Sequence, residues 1–452
     1  MFSSVSHLAP RSGSFNTAVA EYRAARFQSC LSELHGLKTI QALLLRARVL
    51  LRLGDPGVAY SWLKGKTTEN LRDHAEIALL TAVAQSRLGN EDSATDFMRD
   101  AIVYSTSSTD IALEAEVSFY RGLIAFGEDD LIGARAACES SLDSANGDQR
   151  FSYAGGIVPL AHVVARTQEL LALVDAGEGN YRQSILRTRG VLETLDRCSI
   201  RDNYQEAFAL RNSSILARDF DMIGDARILV GRTENFPWTS DICRIEFTTT
   251  EQLGWCSALR GDSVEALRLF RKADEVASTP PERILIAVNR AVFAREFGHK
   301  PMVHEEINYA LSLANAFDWE SAAGDSRLVL LALAQAAAPI AAARARETLD
   351  RYLGIRSRME STYAARTDLR ARTEEAFTHG LILRAEGRVS ASVERLQVAF
   401  DTWARIGLEW RSARAALELA ELNAGDVFRL AVRRELIQRP TSVFAERARL
   451  VA

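Results

Sequence analysis

The sequence predicts an all-α chain of antiparallel helix pairs, and three observations predict it. A short turn, glycine followed by a polar residue, recurs along nearly the whole length. Small side chains stand at fixed offsets around that turn. The composition, 47% hydrophobic and 25% charged over 452 residues, supplies enough apolar surface to fold throughout.

The turns read Leu53-Gly54-Asp55, Leu88-Gly89-Asn90 and Phe126-Gly127-Glu128, then Gly179-Asn180, Gly261-Asp262, Gly298-His299, Gly387-Arg388 and Gly425-Asp426. They lie roughly 35 to 50 residues apart, allowing for missed turns, which is the range of helix-pair repeats. Glycine ends a helix in the left-handed region without a Cβ clash, and the polar residue after it can cap the next helix.

The offsets repeat from turn to turn. From Gly261, a small residue lies seven positions before (Gly254), others five and twelve after (Ala266, Ala273), and a bulky one nine after (Phe270). From Gly89 the same positions hold Ala82, Ala94, Ala101 and Met98. From Gly387 they hold Gly380, Ser392, Ala399 and Leu396. From Gly54, Ala47, Ala59 and Leu63 fit, and Lys66 does not; from Gly298 the set is Ala291, Val303, Ala310 and Ile307.

These segments resemble tetratricopeptide repeats, degenerate and of uneven length. The resemblance implies a right-handed superhelical solenoid of roughly nine to ten helix pairs over residues 15–436. A tail, residues 1–14, precedes it, and a capping segment, residues 437–452, follows. The pattern is irregular between residues 140 and 245, where Tyr153-Ala154-Gly155-Gly156 and Phe236-Pro237-Trp238 mark longer connections. The uneven spacing is similar to that of the helical sensor arms of MalT-like and LuxR-type bacterial transcription regulators. So is the C-terminal run carrying Trp410, Arg411, Ala413, Ala416, Leu417, Leu419, Gly425, Asp426, Pro440 and Ser442. That second resemblance implies a regulatory arm without its DNA-binding domain, since neither a helix-turn-helix extension nor a GxxxxGK[ST] loop is found.

Bulk properties narrow the function. A net charge of -4 and a pI near 6.1 argue against a dedicated nucleic-acid binder. The cysteines, Cys30, Cys138, Cys198, Cys243 and Cys256, are odd in number and lack a CxxC, so neither a disulfide framework nor a zinc site is expected. The histidines form no HExxH, and no GxSxG or GxGxxG occurs with its context. We therefore expect no catalytic residue, metal or cofactor. The N-terminal MFSSVSHLAPRSGSF has no signal-peptide pattern and no window spans a membrane, so a cytoplasmic location is expected.

In tetratricopeptide folds the first helix of each pair lines the concave surface. The resemblance thus places partner-binding residues at Arg48, Arg52, Arg87, Tyr120, Arg211, Asn212, Asn289 and Arg290, on positions expected to be exposed, with Asn289 where such folds clamp a peptide backbone. A basic segment carries Arg344, Arg346, Arg351, Arg356, Arg358, Arg366, Arg370 and Arg372, with Tyr352 and Tyr363 interleaved. It reads as a dock for nucleic acid or an acidic protein, or as a solvated face neutralised by Glu347, Asp350, Glu360 and Asp368. The expected partner is a protein or peptide. Transcription machinery, direct nucleic-acid contact, a small-ligand sensor and a homodimer stay open beside it.

Overall fold

Why the chain turns where it does is visible at the glycines. Gly54, Gly89, Gly261 and Gly387 all adopt left-handed φ between 77° and 90°, the conformation that stops a helix and reverses the chain. The computed structural model describes residues 14–128, 130–145, 157–178, 180–219, 223–296, 299–319, 328–359 and 369–452. The turn glycines Gly179 and Gly298, the run Tyr153-Ala154-Gly155-Gly156, and His7, Tyr363 and Arg366 lie outside the described residues, as do the side chains of Arg358 and Arg370.

Among the described residues the regular structure is helical. The chain divides into two units, Met1–Ala209 with Pro237–Ile242, and Leu210–Phe236 with Cys243–Ala452. The first unit holds α1 (Phe15–Arg23), α2 (Phe27–Glu33), α3 (Ile40–Leu53), α4 (Pro56–Leu63), α5 (Leu71–Arg87) and α6 (Glu91–Ser108). It continues with α7 (Ile111–Gly127), α8 (Leu131–Ser144), α9 (Leu160–Gly177), α10 (Tyr181–Asp196) and the start of α11 (Asn203–Asp219). Successive helices pack as pairs, α1 on α2 through α9 on α10, and the odd helices α1, α3, α5, α7 and α9 also touch one another in order. A short 3-10 helix, Ser240–Ile242, belongs to this unit through a cap supplied from afar: the Asp241 carboxylate accepts from the backbone N–H of Phe27 at 2.6 Å, where α2 lacks a cap of its own.

The second unit holds α12 (Ile223–Glu234), α13 (Cys243–Arg260), α14 (Ser263–Val276), α15 (Pro280–Glu296), α16 (Lys300–Ala316) and α17 (Leu328–Ala337). Then follow α18 (Ala342–Met359), α19 (Leu369–Ala385), α20 (Val389–Arg405), α21 (Glu409–Glu421), α22 (Asp426–Gln438) and α23 (Ala445–Val451). The same pairing runs from α13 on α14 to α21 on α22. Each unit is a tetratricopeptide-like stack of antiparallel helix pairs, as the spacing predicts.

The offsets have a direct physical meaning. A Cβ built on Gly254 would stand 2.6 Å from the Phe270 ring, and one on Gly380 would stand 2.6 Å from Leu396 Cγ. The first helix is bare where the second plants its largest side chain. Ala82 against Met98 and Ala47 against Leu63 are buried at the same positions. In the α7–α8 pair it is Gly122 that faces Cys138, at 3.1 Å from a built Cβ. The register there is set two residues beyond the expected turn, and Gly127 is simply the last residue of α7. Capping is less uniform than the sequence suggests: Asp262 accepts from the Glu265 N–H at 3.1 Å, whereas Asp55 and Asn90 cap nothing with their side chains.

A side chain at Gly380 has no room. Gly380→Val should destabilise the fold by about 1–3 kcal/mol, read as a lowered thermal midpoint. Gly231→Ala, in helix α12 with open space around the built Cβ, should be neutral or slightly stabilising.

Candidate functional site

In the first unit the sequence-expected partner residues form a buried ionic seam. Arg48, on α3, donates to Glu76 on α5 at 2.7 Å and holds Glu116 on α7 through two bonds of 2.7 Å. All three are buried. Arg52, one turn on, makes a two-pronged pair with Asp202 at 2.8 and 3.2 Å and lies between the rings of Tyr22 and Tyr204, at 4.0 and 4.5 Å. Arg166 on α9 donates to the Tyr120 hydroxyl at 3.0 Å and stacks on Phe119 at 4.2 Å. Burial works against the Glu116 charge, yet Arg48 outweighs it and holds the carboxyl below the usual range. Burial likewise opposes the Asp202 charge, and Arg52 holds that carboxyl down.

Arg48, Arg52 and Tyr120 are therefore not exposed, contrary to expectation. A guanidinium inside a stack of helices must be neutralised and hydrogen-bonded at once; Glu76 and Glu116 do both for Arg48, and Asp202 for Arg52. Arg87 is exposed but spends a donor on the Leu51 carbonyl of the preceding pair.

The second unit corrects Asn289 in the same way. It is buried on α15 and donates to Glu251 on α13 at 2.7 Å, so its amide is committed within the fold. Arg290 is half-buried and pairs with Asp274 and Glu306. Arg211 bonds the neighbouring Asn212 at 3.1 Å, and both are half-buried. In the basic segment Arg346 and Arg356 meet carboxylates, while Arg344 and Arg351 bond neutral oxygens. Arg346 makes three bonds to Glu386, Arg356 pairs with Glu375, Arg344 donates to Asn308 and Arg351 to the Ala314 carbonyl.

What the sequence reading missed is a cleft of about 800 Å3 in the second unit. Its walls are the C-terminal ends of α15, α19 and α21, the turn after α17, and α23. Ala338, Pro339, Ile340, Leu381 and Leu450 give it apolar surface; Arg295, Arg384, Arg447, Glu296, Glu418 and Glu446 give it charge. Unsatisfied carbonyls make helix C-termini negative, which favours arginine there. Arg384 pairs with Glu418 and Glu421, and Arg447 reaches the same two carboxylates. Burial opposes the Glu418 charge, but Arg447, Arg295 and Arg384 hold it below the ordinary carboxylate range. Behind them, burial and the nearby Arg295 push the Arg414 guanidinium down to about 10.

A signal for this site exists in the sequence. Arg411, Arg414, Glu418 and Glu421 fall on one face of α21, a stripe of charge where a packed helix is ordinarily apolar. Cys30, Cys138, Cys198 and Cys256 are buried and free, and among the described residues no cluster suits a metal ion and no helix is long and apolar enough to cross a membrane.

The sequence matches no family model, and it matches no curated protein. Similar solved structures are helical-repeat proteins. Aspartyl phosphate phosphatase F from Bacillus subtilis shares 10% identity over 89% of this chain and 96% of that one, with a TM-score of 0.40. A monomeric mutant of IFIT1 with Gppp-AAAA shares 12% over 98% and 96%, at 0.46. The APC/C hetero-tetramer Cut9–Hcn1 shares 13% over 96% and 88%, at 0.36. At these identities and scores the likenesses assign neither an activity nor a partner.

Removing Arg48 leaves Glu76 to Arg72 alone, at 3.0 Å, and Glu116 to Arg166 at 3.8 Å. Arg48→Met should cost about 3–5 kcal/mol at neutral pH, measured by denaturant unfolding. The folded Glu116 pKa lies below its ordinary 4.5, so this contribution is fully present above that value and is lost as pH falls through the folded pKa. The deficit of the variant against the unmodified chain should accordingly shrink as pH falls below 4.5 through the folded Glu116 pKa.

Proposed function

We propose that the chain is a non-enzymatic interaction module that binds a peptide segment of a protein partner in the cleft of its second unit. The observation that carries this reading is the cleft itself: about 800 Å3, apolar along Ala338–Ile340 and Leu381, and bordered by arginines and glutamates that fix a polar backbone or side chain. The odd helices α15, α19 and α21 present their C-terminal ends there. The charges of the first unit's seam are buried against one another, and the cleft of the second unit is where we place the partner. Bacterial regulation of transcription is the setting we propose, and its support is the sequence resemblance around Trp410, Arg411, Ala416 and Leu417 alone.

The cleft volume also favours a second reading, a small-ligand sensor, because it falls inside the range of roughly 300–1,000 Å3 typical of such sites. Both readings place the ligand in one cavity.

Ala385 is exposed and lines the cleft at the end of α19, so it can be enlarged without overpacking the core. The full chain immobilised as bait should retain a partner that the Ala385→Trp variant loses, with helicity by far-UV circular dichroism unchanged. Retention of the same partner by the filled cleft would overturn the assignment.

A further inference from the structure

The C-terminal segment does more than cover the last helix pair. After α22 ends at Gln438 the chain turns back along the second unit. The Thr441 hydroxyl donates to the Arg260 carbonyl at 2.9 Å, and the Val443 N–H donates to the Ala258 carbonyl at 2.9 Å; both acceptors lie in the last turn of α13, nearly two hundred residues earlier. The backbone approach is so close that a Cβ on Gly261 would stand 2.2 Å from the Thr441 oxygen. Val443, Phe444, Ala445 and Ala448 are then buried, while Leu450 is 86% exposed.

From this seat α23 delivers one side chain into the acid cluster. Arg447 donates to Glu421 at 2.5 and 2.8 Å and to Glu418 at 2.7 Å, and stands 3.6 Å from Glu296. The carboxylates come from α15 and α21, so one arginine ties helices of distant pairs together across the cleft wall. Such a segment has the form of a ligand: a backbone bond and a hydroxyl bond for register, apolar anchors at Val443, Phe444 and Ala448, and an arginine fork for specificity.

We propose that residues 439–452 are an internal ligand of the second unit, and that the partner is a peptide segment of the same chemistry, apolar residues around an arginine, that displaces it from Glu418 and Glu421. This rests on the peptide-binding reading above and adds to it which partner fits and which wall of the cleft it replaces. The internal segment raises the threshold for binding, because a partner must compete with a sequence present at the high effective concentration of a covalent tether. Arginine selects better than lysine here, since three donors meet two carboxylates in a planar fork.

The test uses the full chain and a fluorescent synthetic peptide of residues 439–452 as the probe. Two variants free the seat by different routes. Arg447→Ala vacates the carboxylates, and Val443→Pro removes the donor to Ala258 without touching the acid cluster. Each should bind the peptide at least about tenfold more tightly than the unmodified chain, a shift of about 1.4 kcal/mol. A peptide carrying Arg447→Ala should bind both variants at least about tenfold more weakly than the native peptide. Equal affinity for the modified and unmodified chains, or equal binding of the two peptides, would overturn the proposal. If the released chains ignore the peptide while partner capture still depends on Ala385, the internal ligand fails and the peptide-binding reading stands. Loss of both would remove the binding reading itself.

Discussion

A helix pair in this chain closes only where the first helix is thin. Gly254 meets Phe270 and Gly380 meets Leu396 at distances that leave no space for a methyl group, and alanines do the same work in the pairs of α3 and α5. Close approach lets the backbones nest, and nested pairs stack on their neighbours through the odd helices. Once the odd helices lie side by side, their inward side chains are forced together. Any charge among them must find a partner on the next helix or face the cost of an isolated buried ion.

That constraint explains why the two units differ in what they offer a ligand. In the first, Arg48 has carboxylates on α5 and α7, Arg52 has Asp202 and the aromatic faces of Tyr22 and Tyr204, and the charges cancel locally. The result is a rigid seam with nothing left to give. In the second, the carboxylates of α21 are shared between Arg384 on the neighbouring α19 and Arg447 on a segment that arrives from the end of the described chain. A partner that brings its own arginine can replace the second of these without breaking the stack.

The fold was legible because it rests on periodic features. Glycines in left-handed turns and small residues at constant offsets are properties of one position each, and they survive in sequence even where the repeat is degenerate. The α7–α8 register escaped because Gly127 looks like a turn glycine but closes the helix, and Gly122 carries the contact instead. The site was not legible in the same way. Placement of Arg48, Arg52, Tyr120 and Asn289 on the odd helices was correct; their exposure was not, since it depends on which residues the next helices present. Sequence offsets specify a face of a helix and leave open whether that face meets water or a carboxylate.

The missed cleft follows from the same limit. Its residues come from α15, α19, α21 and α23, joined by no motif and brought together because successive odd helices end at one level. One local trace remained: Arg411, Arg414, Glu418 and Glu421 along a single face of α21, charged where burial is demanded. A charged stripe buried at Arg411 and Glu418 and half-buried at Arg414 and Glu421 requires a counterpart from elsewhere in the chain or from a partner. Arg384 supplies part of it. Arg447 supplies the rest from a segment seated on α13 by one backbone bond and one hydroxyl bond and carrying the buried Val443, Phe444, Ala445 and Ala448. The acid cluster of α21 is thus completed by an arginine from outside the helix pairs, the position that the arginine of a partner segment would take.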